Sequence, residues 1–278
     1  MKRRAKILNR VLFILLLSAF FITMGFPVFF MFTNSLMPEI DISSVPPRLL
    51  PSRLVLDNYI EAFTMQPLLL YLFNSAVVTI IVLVICTVCG ALASYALTRT
   101  NIRFKKLFLI FILAIALLPP ITIINPLFRI FSTVGLLNSY IGLALVCAVC
   151  DLPMVIWFMT ALFKSIPVSI EESAELEGCN MFHMFVDILL PMIKTGIFSI
   201  NILVFISAWN QYLFSQVFNQ HTSHRTVVVG MTLYQTTLVL PFGTISAAAA
   251  VIVIPLILMV LVFQKNILGG IMHGGVKE

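Results

Sequence analysis

Six apolar runs, separated by polar, proline-bearing or charged segments, set the pattern of the chain: 11–33, 71–97, 107–131, 140–163, 188–214 and 244–263. They reach the roughly 20 residues that a helix needs to cross a bilayer. No alternating ten-residue pattern of a membrane barrel interrupts them. The pattern predicts an all-α polytopic membrane protein with six transmembrane helices. It divides as 1–70, holding an N-terminal tail, the first helix and an outer loop, and 71–278, holding the remaining helices as one transmembrane domain. No internal repeat and no linker to a second domain is visible.

The polar segments orient the runs. Lys2, Arg3, Arg4, Lys6 and Arg10 precede the first one. It resembles a signal-peptide core, but it is too long and no small-residue cleavage site follows, so it reads as a retained span. Arg99, Arg103, Lys105 and Lys106 follow the second run, Lys164 the fourth, and Lys265 and Lys277 the sixth, while Lys194 stands near the start of the fifth. Arg48, Arg53, Arg129 and Arg225 fall on the other side. The excess of Lys and Arg predicts cytoplasmic N- and C-termini, with outer segments at 34–70 and 218–243. Pro119, Pro120 and Pro126 interrupt the third run, and the backbone carbonyls they free need partners in neighbouring helices or a polar cavity.

Between the fourth and fifth runs lies 171–191, a polar stretch patterned as helix rather than loop. Ser169 and Glu172 have capping-box spacing, and Pro167 suits a helix start. Glu171, Glu172, Glu175 and Glu177 crowd the first turns, where the macrodipole favours negative charge. Gly178 offers a left-handed stop, and Asn180 can cap a second short helix that runs into Ile188 and Pro191. The stretch reads as helix, glycine turn, helix, and a structured acidic elbow of this kind is a handle for a partner protein.

Composition agrees with the pattern. Apolar residues make up 60% and charged ones only 10%, which excludes a soluble domain of this length. The net charge of +6 is explained by topology and calls for no nucleic acid. Cys86 and Cys89 form one C-x-x-C and Cys147 and Cys150 another, but both lie in apolar runs without a basic neighbour to stabilise thiolates. They read as small, buried, reduced cysteines. His221 and His224 lack acidic neighbours, so no metal site is expected.

Asp151 is the one carboxylate well inside a run, and an intramembrane carboxylate faces a cavity or a partner. It is a candidate for the solute pathway. Asn125 beside the proline breaks is another, as are Asn210 and Gln211 between Trp209 and Tyr212, since aromatic stacking with amide hydrogen bonding suits sugars. The aromatic pair alone would equally serve as an interfacial anchor.

Glu172-Ser173-Ala174, then Gly178, then Ile188-x-Leu190-Pro191 resembles the EAA loop of bacterial ABC importer permeases, with Ser173 in place of the first alanine. The likeness extends to the carbohydrate permeases of the maltose type and to their MalG-like member. Asn74-Ser75, the 93–99 stretch Ala-Ser-Tyr-Ala-Leu-Thr-Arg, Gly135 to Ser139, Ile156-Trp157, Ile166-Pro167, Trp209-Asn210 with Tyr212, and Gly274 to Lys277 all match stations of that family. It covers about 74–278.

The resemblance implies a type I importer transmembrane domain in the bacterial cytoplasmic (inner) membrane. Its elbow would be a coupling helix for a cytoplasmic ATPase, with Glu171, Glu172, Ser173, Ala174, Gly178 and Pro191 as its coupling residues. It further implies a heterodimer with a second permease, two ATPase subunits and an extracytoplasmic solute-binding protein. The chain has no G-x-x-x-x-G-K-[ST] stretch, so it carries no cofactor or catalytic site itself, and ATP-Mg belongs to the partner ATPase. The expected cargo is a sugar or oligosaccharide; glycerol phosphate or a uronate oligosaccharide would use the same machinery. A stand-alone secondary transporter would instead show inverted repeats and more intramembrane charge. An intramembrane enzyme would need paired acids, metal-spaced histidines or a Ser/His dyad, and the apolar runs contain none.

Overall fold

The computed structural model describes the backbone of residues 2–101, 103–235 and 240–275, and the side chains within 9–101, 103–235 and 240–262. The side chains of Lys2, Arg3, Arg4, Lys6, Lys265 and Lys277, and the Val276-Lys277 end, lie outside the described set. The described chain is all helix: α1 (Lys2–Ser35), α2 (Glu39–Ile42), α3 (Asp57–Met65), α4 (Leu68–Arg99), α5 (Lys105–Ala116), α6 (Pro120–Thr133), α7 (Tyr140–Ser165), α8 (Val168–Leu176), α9 (Met181–His183), α10 (Leu190–Met192), α11 (Lys194–Trp209), α12 (Leu213–Phe218), α13 (Val227–Met231) and α14 (Phe242–Gly275). A π-helical turn, Met184–Leu189, joins α9 to α10.

Four helices are long and apolar enough to cross a membrane by themselves: Asn9–Ser35 within α1, then α4, α7, and Phe242–Val262 within α14. The third and fifth runs are each broken into two helices, the third at the prolines that the sequence marked. Lys105–Ala116 and Pro120–Thr133 meet at 92°, and Met181–Met192 and Lys194–Trp209 at 77°. Proline marks the first bend. Pro119 is extended, with ψ 126, and Pro120 opens α6 at its first turn, where a missing N–H costs nothing. Pro191 cannot donate to the carbonyl of Asp187, and the chain before it takes the wider π-helical path; the second bend follows at Ile193, which leaves the helix with φ −103 and ψ 8. The fifth run also ends as a helix at Trp209 rather than at 214, and the 218–243 segment is partly helical rather than open loop.

The chain forms two compact units, 1–68 with 230–254, and 69–229 with 255–278. In the first, Asn58 Nδ2 donates to the carbonyls of Ser35 and Met37, which closes the free end of α1. Tyr59 OH and Ser35 Oγ are 2.8 Å apart, and Thr244 Oγ1 donates to Glu61 across 2.7 Å. Asp41 gathers its own loop: it accepts from the Ser52 hydroxyl and backbone N–H and pairs with Arg48.

In the second unit, α7 packs against α5, α11 and α12. Its buried core runs from Val78 and Val82 on α4 through Leu143, Val155, Met159 and Phe163 on α7 to Ile200 and Val204 on α11. Gly90 lets α4 approach α7, because a Cβ there would lie 2.5 Å from Val155 Cγ1. Several sequence stations acquire physical tasks here. Asn74 donates to the carbonyls of Ser223 and Arg225 and accepts from Tyr140 OH, and Ser75 Oγ accepts from Val227 N. Asn138, at φ 52, accepts from His221 N, and Ser139 caps α7 by accepting from Gly142 N.

Candidate functional site

The elbow is built as two short arms about a glycine. Its first arm is α8, whose N-cap is Pro167; no side chain caps it. The Ser169–Glu172 capping box is therefore not formed. Ser169 already lies inside the helix, and its carbonyl accepts from Ser173 Oγ. Pro167 wins because it fixes an extended residue next to helix, two positions earlier than a serine cap would. The turn follows the sequence: Gly178 has φ +83, and Asn180 Oδ1 accepts from His183 N to start the second arm.

The arms have distinct faces. Glu172 and Ser173 are exposed, with Glu175 and Glu177, whereas Ala174 is buried. Apolar side chains also stand exposed on the elbow: Leu176 at 90%, and Met181 and Phe182. Gly178 and Pro191 are exposed as well.

Glu171 points the other way. Only 7% of it is exposed. Its Oε1 accepts from Arg99 Nε at the end of α4, and its Oε2 lies 3.4 Å from Tyr95 OH. Arg99 also donates from Nη2 to the carbonyl of Ile166, which ends α7. A cation at the last carbonyls of α7 and an anion in the first turn of α8 each suit the local helix dipole. This network escaped sequence reasoning, which used Arg99 as a topology marker and a family station and grouped Glu171 with Glu172, Glu175 and Glu177. The signal available was the position of Arg99 beside Tyr95 at the end of an apolar run.

The other candidates are scattered. Asp151 accepts from Ser207 Oγ across 2.8 Å, linking α7 to α11, while Thr87 Oγ1 donates to Asn201 Oδ1, linking α4 to α11. Asn125 is exposed on α6 and lines a cavity of about 500 Å³ with Pro126, Phe128 and Arg129. Asn210 donates to the carbonyl of Ile206 on its own helix, and Gln211 Oε1 accepts from Phe214 N at the start of α12. Among the described residues, none of the four pathway candidates hydrogen-bonds another. Trp209 is buried and stacks on Phe205 at 5.6 Å, so it is not an exposed interfacial anchor. Cys86 and Cys147 are buried as expected, Cys150 is half-buried, and Cys89 is exposed.

Four membrane-length helices and two bent helix pairs, with a turned acidic elbow at the start of the second pair, mark a polytopic helical membrane protein. The chain belongs to the family described as binding-protein-dependent transport system inner membrane component, whose pattern matches residues 87–271 and so includes Arg99 and the whole elbow. It is 34% identical over 252 residues to the sulfoquinovosyl glycerol transport system permease protein SmoH of Agrobacterium fabrum, covering 91% of this chain and 88% of that one. It is 30% identical to the trehalose/maltose transport system permease protein MalG of Thermococcus litoralis, over 99% of both chains. Among solved structures, a bacterial ABC transporter involved in import of the acidic polysaccharide alginate aligns with a TM-score of 0.82 over 94% of this chain and 97% of its own. At 21% identity that likeness establishes the fold.

Proposed function

We propose that the chain is the transmembrane permease subunit of an ATP-driven importer for a sugar or oligosaccharide. The observation that carries this reading is the elbow: an exposed acidic arm turned at Gly178, in a chain whose relatives are sugar permeases. Each bent pair makes one span, giving six spans in the inner membrane with both termini and the elbow on the cytoplasmic side. The elbow is the coupling helix for a separate ATPase, present in two copies and holding ATP-Mg. A second permease completes the pathway, and an extracytoplasmic binding protein delivers the solute.

Within the elbow, the exposed set meets the ATPase. Glu172 offers a carboxylate to a basic groove, Ser173 allows close approach, and Leu176, Met181 and Phe182 supply apolar contact area. Ala174 and Glu171 hold the arm against its own chain, Gly178 aims the second arm, and Pro191 stands in its last turn, just before the bend into α11. Asn125 opens on a cavity, and Asp151, held by Ser207 through one carboxylate oxygen, has its second oxygen to offer a solute hydroxyl. Asn210 and Gln211 remain in the set, each already engaged locally.

Uptake of labelled di- and oligosaccharides by cells deleted for this chain tests the reading. Loss of uptake of at least one sugar, restored by the wild-type chain, is the expected result. Unchanged uptake across a broad sugar panel, with uptake of a non-sugar solute lost, contradicts it.

A further inference from the structure

The last two turns of α4 touch both arms of the elbow. Arg99 reaches Glu171 on the first arm and the Ile166 carbonyl just before it, the latter across 2.8 Å. Tyr95 approaches Glu171 through its hydroxyl and packs edge-on against Phe185 on the second arm, with ring centroids 5.2 Å apart. The same ring meets Phe163, in the last turn of α7, at 5.7 Å, and Phe163 stacks with Phe185. These side chains are enclosed: Arg99 is 14% exposed and Glu171 9% by side chain.

An exposed ion pair in this place would contribute little and slip under load. A buried pair behaves differently, because separating it leaves an unpaired charge in a low-dielectric site. The backbone joins the elbow directly only to α7 and α11. We infer that Arg99, Tyr95 and Glu171 form a fixed joint that adds α4 to the parts the elbow moves. Glu171 is then a positioning residue within this chain rather than a contact to the ATPase. Displacement of α4 is passed inward, since Ser94 Oγ donates to the Ile156 carbonyl of α7 and Thr87 bonds Asn201 of α11. The inference rests on the coupling role proposed for the elbow.

The test uses the whole transporter, purified from native membranes and reconstituted in vesicles with its binding protein. Wild type, Glu171→Gln, Arg99→Gln, Tyr95→Phe and the swapped pair Arg99→Glu with Glu171→Arg are compared. Two quantities are read: ATPase retained per permease, and solute moved per ATP hydrolysed. The joint predicts that Glu171→Gln and Arg99→Gln retain the ATPase while solute per ATP falls by roughly two- to thirtyfold. Tyr95→Phe, which keeps the ring packing and so survives if Arg99→Gln does not fold, moves the ratio in the same direction, and the swap recovers part of the loss. An unchanged ratio in Glu171→Gln and Tyr95→Phe overturns the joint. So does loss of the ATPase from Glu171→Gln, since Glu171 would then be a contact. A wild-type chain that retains no ATPase refutes the coupling reading itself, which is a separate outcome.

Discussion

Ser207 Oγ donates to Asp151 Oδ1 across 2.8 Å, so the carboxylate midway along α7 is held by α11. A hydrogen bond to a charged or partly buried carboxylate contributes more than a neutral one, and removing the donor leaves the acceptor without its partner. Ser207→Ala is expected to lower stability in detergent by about 1–3 kcal/mol, read as a lower melting temperature. Ser207→Thr keeps the hydroxyl and should retain most of it. An unchanged melt in Ser207→Ala would remove the pair from the account of how α7 and α11 are joined.

Gly178 separates dihedral strain from crowding, because a Cβ there would meet nothing within 4 Å. Its φ of +83 alone resists side chains. Gly178→Ala should cost about 1–2 kcal/mol locally, and Gly178→Asn less, since asparagine visits the left-handed region more readily. Hydrogen exchange of the 176–182 amides reads this directly: faster exchange in the alanine variant than in the asparagine variant.

Gly90 poses the opposite case. The Cβ of alanine would press on Val155 Cγ1, a stiff β-branched side chain with no exposure. Gly90→Ala is expected to destabilise by about 1–3 kcal/mol. Adding Val155→Ala should recover part of that loss. If the double variant melts lower than both single ones, close packing of α4 on α7 is not what requires the glycine.

Asp41 carries the pH dependence of its loop. The Ser52 hydroxyl and backbone N–H, and then Arg48, hold its carboxyl below the ordinary value of 3.8, against the opposing effect of burial. A depressed carboxyl contributes stability that is present above its unfolded pKa and lost as pH falls through the folded one. The 41–52 loop should therefore resist proteolysis at pH 5 and open progressively below about pH 4, with Asp41→Asn removing the acid-dependent step. A cleavage rate in Asp41→Asn that still rises below pH 4, as in wild type, would assign the transition to another group.

Much of this was legible in the chain. Long apolar runs announce membrane helices because a helix satisfies its backbone within its own segment in lipid. Gly178 acts through its own backbone and Asn180 caps a residue three positions on, so sequence alone located the turn and the second cap. Most of the misses are contacts across long stretches of chain. Glu171 looks like its neighbours Glu172 and Glu175 until Arg99, far away in sequence, turns it inward. The capping box failed because Pro167 began the helix earlier. Prolines marked where the third run would break, but a 92° turn depends on what the two halves pack against. Asp151 was visible as an anomaly, and its partner Ser207 was not.

The most direct measurement is co-purification of this chain from its native membrane, comparing wild type with Glu172→Ala and Gly178→Pro. The account predicts that wild type brings down an ATPase and a second permease, and that both variants lose the ATPase or its stimulation by the binding protein. A chain that purifies alone and still moves a solute contradicts the account.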